Sequence, residues 1–482
     1  MAQTQGQNPR DVKQSQTNQS VPVQPPLYGS YQSGSSVPRP YPGAAQSSAA
    51  TQAPAIVHNE SPAMRFSKAF IVAVAIWILI TGLVQSMVIT AHRHHRYGGV
   101  STHYPIPSDV FLDRCITSEE WSRDLSSHIA DFPSLDAYLP PSAFPYTSKT
   151  TFSLPLSSDV LFLLSRGPLS SGSVDIVTSS EEGEAVKVDV VVKYFREHVR
   201  DISNVCLVSR KDGEIGIGIF SPEWANHHRI EDQLYFEVVV SLPRTSNGKP
   251  LLINRFETDV LNTPHRIGDL SKSVIFQSID LKGSNAPIYA KSIRAHNANI
   301  HTSNGPIQGI FNTSHSLVLE TSNSPIRVQI GMTNDKDGPA SEVTLHSTNG
   351  AVESDISLMS TSKKGGTFNV KSRTSNGPLR VNFLASPIDS TLHLNGKTSN
   401  NVAEISLDTS YEGKFLLKTS NHAATLRKRR DVEDPRGQER KRTVNYKSTR
   451  GTIVGDVHWS NDSKAEGTVR VVTSNSPVVL DL

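Results

Sequence analysis

The sequence is short of cysteine, of apolar residues and of net charge. Only two of its 482 residues are cysteine, and only 36% are hydrophobic. The low apolar fraction predicts that part of the chain lies outside any packed core. A formal net charge of +3 is nearly neutral for this length, so composition gives no case for a nucleic-acid partner.

The two cysteines, Cys115 and Cys206, both follow the longest apolar segment of the chain. Two thiols confined to one side of a membrane fit a single disulfide in an oxidising compartment. Two separate buried thiols remain the alternative, because a sequence cannot place two Cα atoms within bridging distance.

The longest apolar segment, residues 69–91, contains 23 residues without a formal charge. As a helix it would extend about 35 Å, enough to cross a hydrocarbon core of about 30 Å. It is longer than the apolar part of a signal peptide and begins far from Met1, so we expect a retained transmembrane helix. A buried helix of a soluble protein is the alternative.

The flanking charges do not orient this helix. Arg65 and Lys68 precede it and Arg93 and Arg96 follow it, so the count of positive charges is a tie. The cysteines favour an oxidising side for the C-terminal region. We therefore expect a cytosolic N-terminus and a lumenal or extracellular C-terminal domain, in the plasma membrane or the secretory pathway. Two glycosylation sequons are compatible with that side, at Asn312 and Asn461.

The N-terminal tail, residues 1–68, is dominated by Gln, Ser, Pro and Ala. Such a segment buries too little apolar area to offset its backbone entropy, which predicts disorder. Within it, Pro25, Pro26 and Tyr28 form a PPxY motif, the ligand of WW domains. The motif resembles sites by which membrane proteins recruit WW-containing ubiquitin ligases. Chance occurrence in a proline-rich tail is the alternative, and the hypothesis needs a cytosolic tail.

A short phrase built on Thr-Ser-Asn recurs through the second half of the chain. From Asn285 onward its first seven copies are spaced by 19, 19, 26, 27, 24 and 21 residues. A degenerate copy occupies residues 448–451. This is too many copies for chance and indicates a repeat architecture. The copies centre on Asn247, Asn285, Asn304, Asn323, Asn349, Asn376, Asn400, Asn421 and Asn475.

The chemistry of the phrase is that of a corner between strands. Asn and Gly tolerate a left-handed backbone, and a following Pro belongs at the first residue of a strand. Between corners the sequence alternates, so that Ile326, Val328 and Ile330 point one way while Arg327 and Gln329 point the other.

These patterns predict an all-β, β-solenoid-like domain in which short coils stack and share an apolar interior. The recurrent asparagines are expected to form a ladder, each amide bonding the next. A β-sandwich that reuses one turn sequence is the alternative. We expect a juxtamembrane stalk over 92–148 with a short helix at 118–129, a leading β section over 149–245, and the repeat domain over 246–482.

With these residues in view, the chain resembles a family of fungal single-pass membrane proteins with a C-terminal β domain of unknown function. The resemblance spans about residues 60–482 and is carried by Phe152-Ser153-Leu154-Pro155, Ser165-Arg166-Gly167 and the repeated phrases. The phrases are also similar to those of bacterial adhesin-like β-solenoids. The resemblance implies the fold and supplies no catalytic residue.

No constellation of residues predicts catalysis, a cofactor or a metal. The glycines of 213–218 lack nucleotide-binding spacing, and the histidines at 92–95 and 227–228 lack carboxylate or thiolate partners. The basic run 427–442 predicts a solvated loop inserted between coils. Within it, Lys428, Arg429 and Arg430 would suit a dibasic processing protease on the lumenal side.

The sequence therefore predicts a membrane-anchored, adhesin-like binding or structural module with no enzymatic activity. Cell-wall carbohydrate or a surface protein is the expected partner, through a repeated outer face rich in hydroxyl and amide groups. One alternative is a scaffold that self-associates through open sheet edges. The other is a polysaccharide-acting enzyme, which would need three or more carboxylates converging on one groove.

Overall fold

The computed structural model describes residues 103–123, 144–223, 229–459 and 466–482. The predicted tail 1–68, the transmembrane helix 69–91 and the Pro25, Pro26 and Tyr28 motif lie outside these residues. Within them, no helix has the length and apolar character needed to cross a bilayer.

The leading part of the described chain is built mainly of strands. It also contains one short helix, α1 (Glu197–Asp201), and two single 3-10 turns, Ser118–Glu120 and Ile230–Asp232. Its strands are β1 (Phe111–Cys115), β2 (Ser122–Arg123), β3 (Tyr146–Pro155), β4 (Val160–Arg166), β5 (Gly172–Glu182), β6 (Ala185–Tyr194), β7 (Asn204–Ser209), β8 (Glu214–Phe220) and β9 (Leu234–Arg244).

In the described residues from 246 onward, strands and loops alternate without a helix. The strands are β10 (Leu251–Val260), β11 (His265–Asp269), β12 (Val274–Lys282), β13 (Ile288–Thr302), β14 (Ile307–Thr321), β15 (Ile326–Asn334), β16 (Ser341–Ser347), β17 (Val352–Ser360), β18 (Thr367–Arg373), β19 (Leu379–Ala385), β20 (Thr391–Lys397), β21 (Ala403–Ser406), β22 (Gly413–Lys418), β23 (Ala424–Arg427), β24 (Thr443–Thr449), β25 (Thr452–His458), β26 (Gly467–Val472) and β27 (Val478–Asp481).

The repeats wind as coils, and each coil gives one strand to each of two facing sheets. The first sheet contains the strand before each Thr-Ser-Asn corner, and its parallel pairs run in the order β4, β10, β12, β13, β14, β16, β18 and β20. The second sheet contains the strand after the corner, in the order β5, β11, β13, β14, β15, β17, β19 and β21. Strands β13 and β14 bend and join both sheets.

The all-β prediction is confirmed, and the pairing separates the two predicted architectures. Strands of successive repeats pair in parallel, one coil apart, whereas hairpins would pair them antiparallel. Alternate residues of both sheets face inward and form one continuous apolar core. The domain is therefore a stack of coils rather than a sandwich of hairpins.

The asparagine ladder predicted from the repeat is present for eight of the nine asparagines, whereas Asn247 accepts a hydrogen bond from the backbone amide of Lys249 and Asn262, outside the repeated phrases, takes the end of the ladder. The side-chain amide of Asn376 donates to Oδ1 of Asn349 at 2.6 Å, and Asn349 donates to Asn323 at 2.7 Å. The same bond links nine asparagines along one edge of the stack. In spatial order the ladder contains Asn262, Asn285, Asn304, Asn323, Asn349, Asn376, Asn400, Asn475 and Asn421.

The corner glycines serve a different purpose from the one predicted. Gly305, Gly350 and Gly377 do not have a positive φ angle. Instead, a Cβ added at Gly350 would lie 1.8 Å from the carbonyl oxygen of Ser324 in the preceding corner. Close stacking of one corner on the next, rather than a left-handed turn, therefore favours glycine at these three positions.

The predicted stalk and its helix differ from the structure. Residues 103–123 pack against the domain: β1 pairs with β7, and Val110 is buried beside Phe162. The predicted helix begins as the 3-10 turn at Ser118 and gives way to β2, because Trp121 is buried with an extended backbone. Tertiary burial thus overrides the local helix signal; residues 124–129 lie outside the described range.

The last coil of the chain is not the last coil of the stack. Strand β26 lies between β20 and β22 in the first sheet, and β27 lies between β21 and β23 in the second. The antiparallel hairpin β24–β25 then covers the outer edge of β22. The C-terminal segment is therefore inserted between two coils that precede it in sequence.

Candidate binding face

Strand alternation turns every second side chain of the first sheet outward, and parallel register lines these side chains up in rows. Neighbouring residues of a row lie about 4.8 Å apart, the spacing of paired strands. Near the C-terminal end of the stack, the rows carry seven exposed cations. We call these residues the basic face: Lys371, Arg373, Lys397, Lys414, Lys418, Lys447 and Arg470.

Charges of the same sign are direct neighbours on this face. Arg373 of β18 pairs in register with Lys397 of β20. In the next row Lys371 and Arg470 are separated only by Asn395. Like charges opposite each other on paired strands are destabilising by roughly 0.2–1 kcal/mol. The fold therefore carries a cost at these positions.

The outer face of the second sheet shows the opposite pattern. There Arg327 bonds Glu353 at 2.9 Å, Glu353 bonds Arg380 at 2.8 Å, and Arg380 bonds Glu404 at 3.1 Å. Charges alternate in sign from coil to coil and neutralise one another. The same stacking geometry thus accommodates a paired ladder on one face and an unpaired cluster on the other.

No acidic side chain of the described residues forms an ion pair with a member of the basic face. Two acids lie next to it: Glu342 accepts a hydrogen bond from Asn369, and Asp456, which is opposite Lys414 in register, contacts His458 at 3.1 Å. The seven cations, which have no acidic ion-pair partner among the described residues, form a surface whose charge is complementary to a polyanion.

Three carboxylates do converge on one groove, at the junction of the leading strands and the repeats. Glu257, Asp259 and Asp280 line this groove of about 360 Å³ on the first sheet. Each is engaged by arginine: Arg210 contacts Glu257 at 2.5 Å and Arg166 contacts Asp259 at 2.6 Å. Arg255 contacts Asp280 at 3.1 Å. All three carboxylates of this groove are therefore paired with arginine.

A buried ion pair on the second sheet is the other acidic feature. The guanidinium of Arg266 donates two hydrogen bonds of 2.6 Å each to the carboxylate of Asp175. Burial raises the pKa of Asp175 in spite of this guanidinium, and burial also raises the pKa of the neighbouring Tyr235. Because the side chain of Asp175 is only 5% exposed, the pair serves packing between β5 and β11 and not contact with a substrate.

The structure joins Cys115 and Cys206 by a disulfide that bridges β1 and β7. Cys206 is fully buried. The disulfide ties the segment before the domain to the leading strands, 91 residues further along the chain. It lies away from the basic face, and we expect it to stabilise the folded chain.

The other predicted residues are separate from the basic face. Asn312 is half-buried in β14, where its amide donates to the carbonyl of Ile293 at 3.3 Å. Asn461 lies outside the described residues. Lys428, Arg429 and Arg430 are exposed in the loop between β23 and β24. That loop is folded against the stack, since Arg440 contacts Asp434 at 2.6 Å.

Within the described ranges, no group of His, Cys, Asp or Glu side chains is arranged to hold a metal ion. The histidines at 92–95 and 227–228 lie outside these ranges. The sequence did contain a signal for the basic face: Lys or Arg stands two positions apart in Lys371-Ser372-Arg373 and four apart in Lys414-Phe415-Leu416-Leu417-Lys418, so each pair faces the same side of its strand. Only the register shows that these short patterns meet.

Comparison with known proteins gives a family match over the repeats. Residues 297–481 match the model of a family described as a domain of unknown function (DUF7330). No curated protein matches the chain. Among solved structures, the chain is similar to a "putative cell adhesion protein" from Clostridium sporogenes, with 10% identity and a TM-score of 0.17. That match covers 70% of this chain and 99% of the other, and we base no conclusion on so low a score.

Proposed function

We propose that this chain is a membrane-anchored, non-catalytic binding module whose basic face holds a linear anionic polymer of the cell surface. The polymer would be a polysaccharide carrying sulfate, phosphate or carboxylate groups. One observation carries the proposal: Arg373 and Lys397 are like-charged, adjacent and without ion-pair partners among the described residues. A partner that supplies negative charge would offset the cost of that arrangement.

The expected topology supports a polymer rather than a lipid surface. The disulfide between Cys115 and Cys206 is of the kind that persists in oxidising compartments. On that side of a membrane the domain would face a leaflet poor in anionic lipid, because these lipids concentrate on the cytoplasmic side. Topology is tested by a glycosidase-sensitive shift in gel mobility, with Asn312→Gln and Asn461→Gln as controls.

The binding test compares two triple variants of the full-length protein in detergent. One variant removes three cations of the basic face, Lys371→Gln, Lys397→Gln and Arg470→Gln. The control removes the same charge from exposed lysines elsewhere, at Lys211, Lys249 and Lys272. Binding to immobilised dextran sulfate and to uncharged dextran is measured at increasing salt.

We expect the face variant to lose at least about tenfold in affinity for dextran sulfate, since three contacts of about 0.5 kcal/mol each sum to that ratio. The control triple should change affinity less than about twofold, and salt should weaken the wild-type interaction. Equal losses in both triples would contradict the proposal. So would equal binding of the wild type to uncharged dextran.

A self-associating scaffold is the second candidate. Among the residues that the structure describes, β25 is the one strand that pairs with β24, and five consecutive residues of β24 are exposed. An unpaired edge of this kind can accept a strand from another copy. Oligomer size measured against protein concentration separates this function from polymer binding, because only the scaffold predicts growth without added polymer.

A further inference from the structure

Because the C-terminal coil is inserted between earlier coils, cleavage of the peptide chain in the basic loop need not separate the two resulting fragments. The loop connects β23, near the end of the stack, to the hairpin β24–β25. The chain then returns to place β26 and β27 between coils that come before the loop in sequence. Residues on the two sides of the loop are therefore interleaved in space.

The inserted coil is held on both sides. Asn475 donates to Asn400 at 2.7 Å and accepts from Asn421 at 2.7 Å. Inside the stack Val471 and Leu480 are fully buried. At the C-terminus, the backbone amide of Leu482 donates to the carbonyl of Arg427 at 2.9 Å. Ladder, core and backbone bonds all join this coil to residues before the loop.

The two basic clusters of the loop differ in accessibility. Lys428, Arg429 and Arg430 are exposed and directly follow β23, whose one strand partner among the described residues is β27. Arg429 is also bonded to the end of the chain and to the stack, since its backbone amide donates to the carbonyl of Leu482 at 2.8 Å and its guanidinium to the Ser406 hydroxyl at 2.7 Å. The second cluster is tied down: Arg440 contacts Asp434 at 2.6 Å, and the guanidinium of Arg442 lies 5.8 Å from the ring centre of Trp459. All three side chains of the first cluster are exposed, whereas Arg440 and Arg442 of the second are half-buried, so a protease that reads a basic segment would reach the first cluster more readily.

We propose that residues 428–430 are the recognition site of a dibasic-specific serine endoprotease, and that cleavage after Arg430 gives a two-chain molecule that stays assembled. Water is consumed at the Arg430–Asp431 peptide bond; its oxygen completes the Arg430 carboxylate and Asp431 gains a free amine. The site rests on the proposed lumenal placement, where such proteases act. Assembly of the product rests only on the fold.

The product would be held together without a covalent link, because Cys115 and Cys206 both belong to the larger fragment. The smaller fragment, residues 431–482, supplies Lys447 and Arg470 to the basic face. Cleavage therefore leaves that face complete as long as the inserted coil stays in place. Loss of the small fragment would remove both cations.

The experiment treats the purified full-length protein in detergent with a kexin-type serine endoprotease. We expect fragments 1–430 and 431–482 to separate on a denaturing gel, with or without reductant, and to elute together in native size exclusion. Alanine at Lys428, Arg429 and Arg430 should abolish cleavage, whereas Lys441→Ala should leave it unchanged.

A second variant tests whether the inserted coil holds the two fragments together. Val471 is a buried residue of the inserted coil, and Val471→Asp places a charge there in the apolar core. After cleavage, this variant should release residues 431–482 in native size exclusion. If cleavage occurs first at 440–442, the proposed cleavage site is wrong. If the cleaved wild type releases residues 431–482, the proposal that the fragments stay assembled is wrong. Because purified protein is used, either failure is distinct from a failure of the lumenal topology, which the glycosidase assay reports.

Discussion

Arg373 and Lys397 are direct neighbours on paired parallel strands, and both side chains are exposed on the same side of the sheet. An equivalent pair on the opposite side of the stack, Glu353 and Arg380, is of opposite sign and lies 2.8 Å apart. If the basic face binds a polyanion as proposed, the same cations that favour binding would lower stability.

Reversing one of these charges should stabilise the protein and weaken its binding. We expect Lys397→Glu to raise the free energy of unfolding by roughly 0.2–1 kcal/mol, because repulsion from Arg373 becomes attraction. Affinity for dextran sulfate should fall in the same variant. Urea midpoints and binding are measured together, with Lys397→Gln as the intermediate case. A less stable Lys397→Glu protein would refute the argument.

The asparagine ladder should contribute most where it is continuous. Asn349→Ala removes two side-chain bonds, to Asn323 and from Asn376. Since these amides are exposed to water, we expect a loss of about 1–2 kcal/mol. Asn421→Ala, at the end of the ladder, removes one bond and should cost about half as much. Equal urea midpoints for Asn349→Ala and the wild type would argue against a stabilising ladder.

Close stacking at the corners should make Gly350 intolerant of a methyl group. A Cβ there would lie 1.8 Å from the Ser324 carbonyl oxygen, so the corner must shift. We expect Gly350→Ala to cost about 1–3 kcal/mol, as overpacking does elsewhere. Gly183→Ala is the matched control, because its Cβ would meet only the Pro243 side chain at 3.9 Å. Thermal midpoints of the two variants decide the point.

Acid should destabilise the fold through His265. This side chain is fully buried with its Nε2 2.7 Å from the Thr258 hydroxyl, and burial lowers the pKa of His265 to about 4. The unfolded chain binds the proton near pH 6.5, so stability falls as the pH is lowered from about 6.5 to about 4. The total loss is about 3 kcal/mol for this shift.

The measurement is the urea midpoint as a function of pH in the wild type and in His265→Gln. The variant should have a flatter profile in this window, since it cannot take up that proton. Parallel profiles for the two proteins would show that other groups control the acid response.

Removing the disulfide should cost more than any single ladder bond. The bond between Cys115 and Cys206 closes a loop of 91 residues, and closure of a loop this long is typically worth about 2–4 kcal/mol. Cys115→Ala with Cys206→Ala should therefore lower the urea midpoint, and reductant should shift the wild type but not the variant. A wild type that is insensitive to reductant would contradict the estimate.

The position of the basic face could not be obtained from local pattern. Lys371 and Lys414 each belong to an ordinary alternating strand, which predicts only that they face outward. Arg470 is far from both in sequence and joins them because β26 enters between β20 and β22. Which outward side chains become neighbours is a property of strand order, and strand order is set by non-local pairing.

The sequence by itself predicted the repeating unit of the fold, a coil of strands joined at Asn-centred corners. Its alternation and its Asn-centred corners predict strands and the bends between them, because both patterns depend on residues close together in the chain. The recurrence of one phrase predicts that equivalent asparagines of successive coils meet. Tertiary structure alone decided that the helical turn ends at Trp121 and that Asn475 lies between Asn400 and Asn421. It also decided that a neighbouring carbonyl leaves no room for a Cβ at Gly350. In each of these cases the contact comes from another coil or another strand, and local propensity carries no information about it.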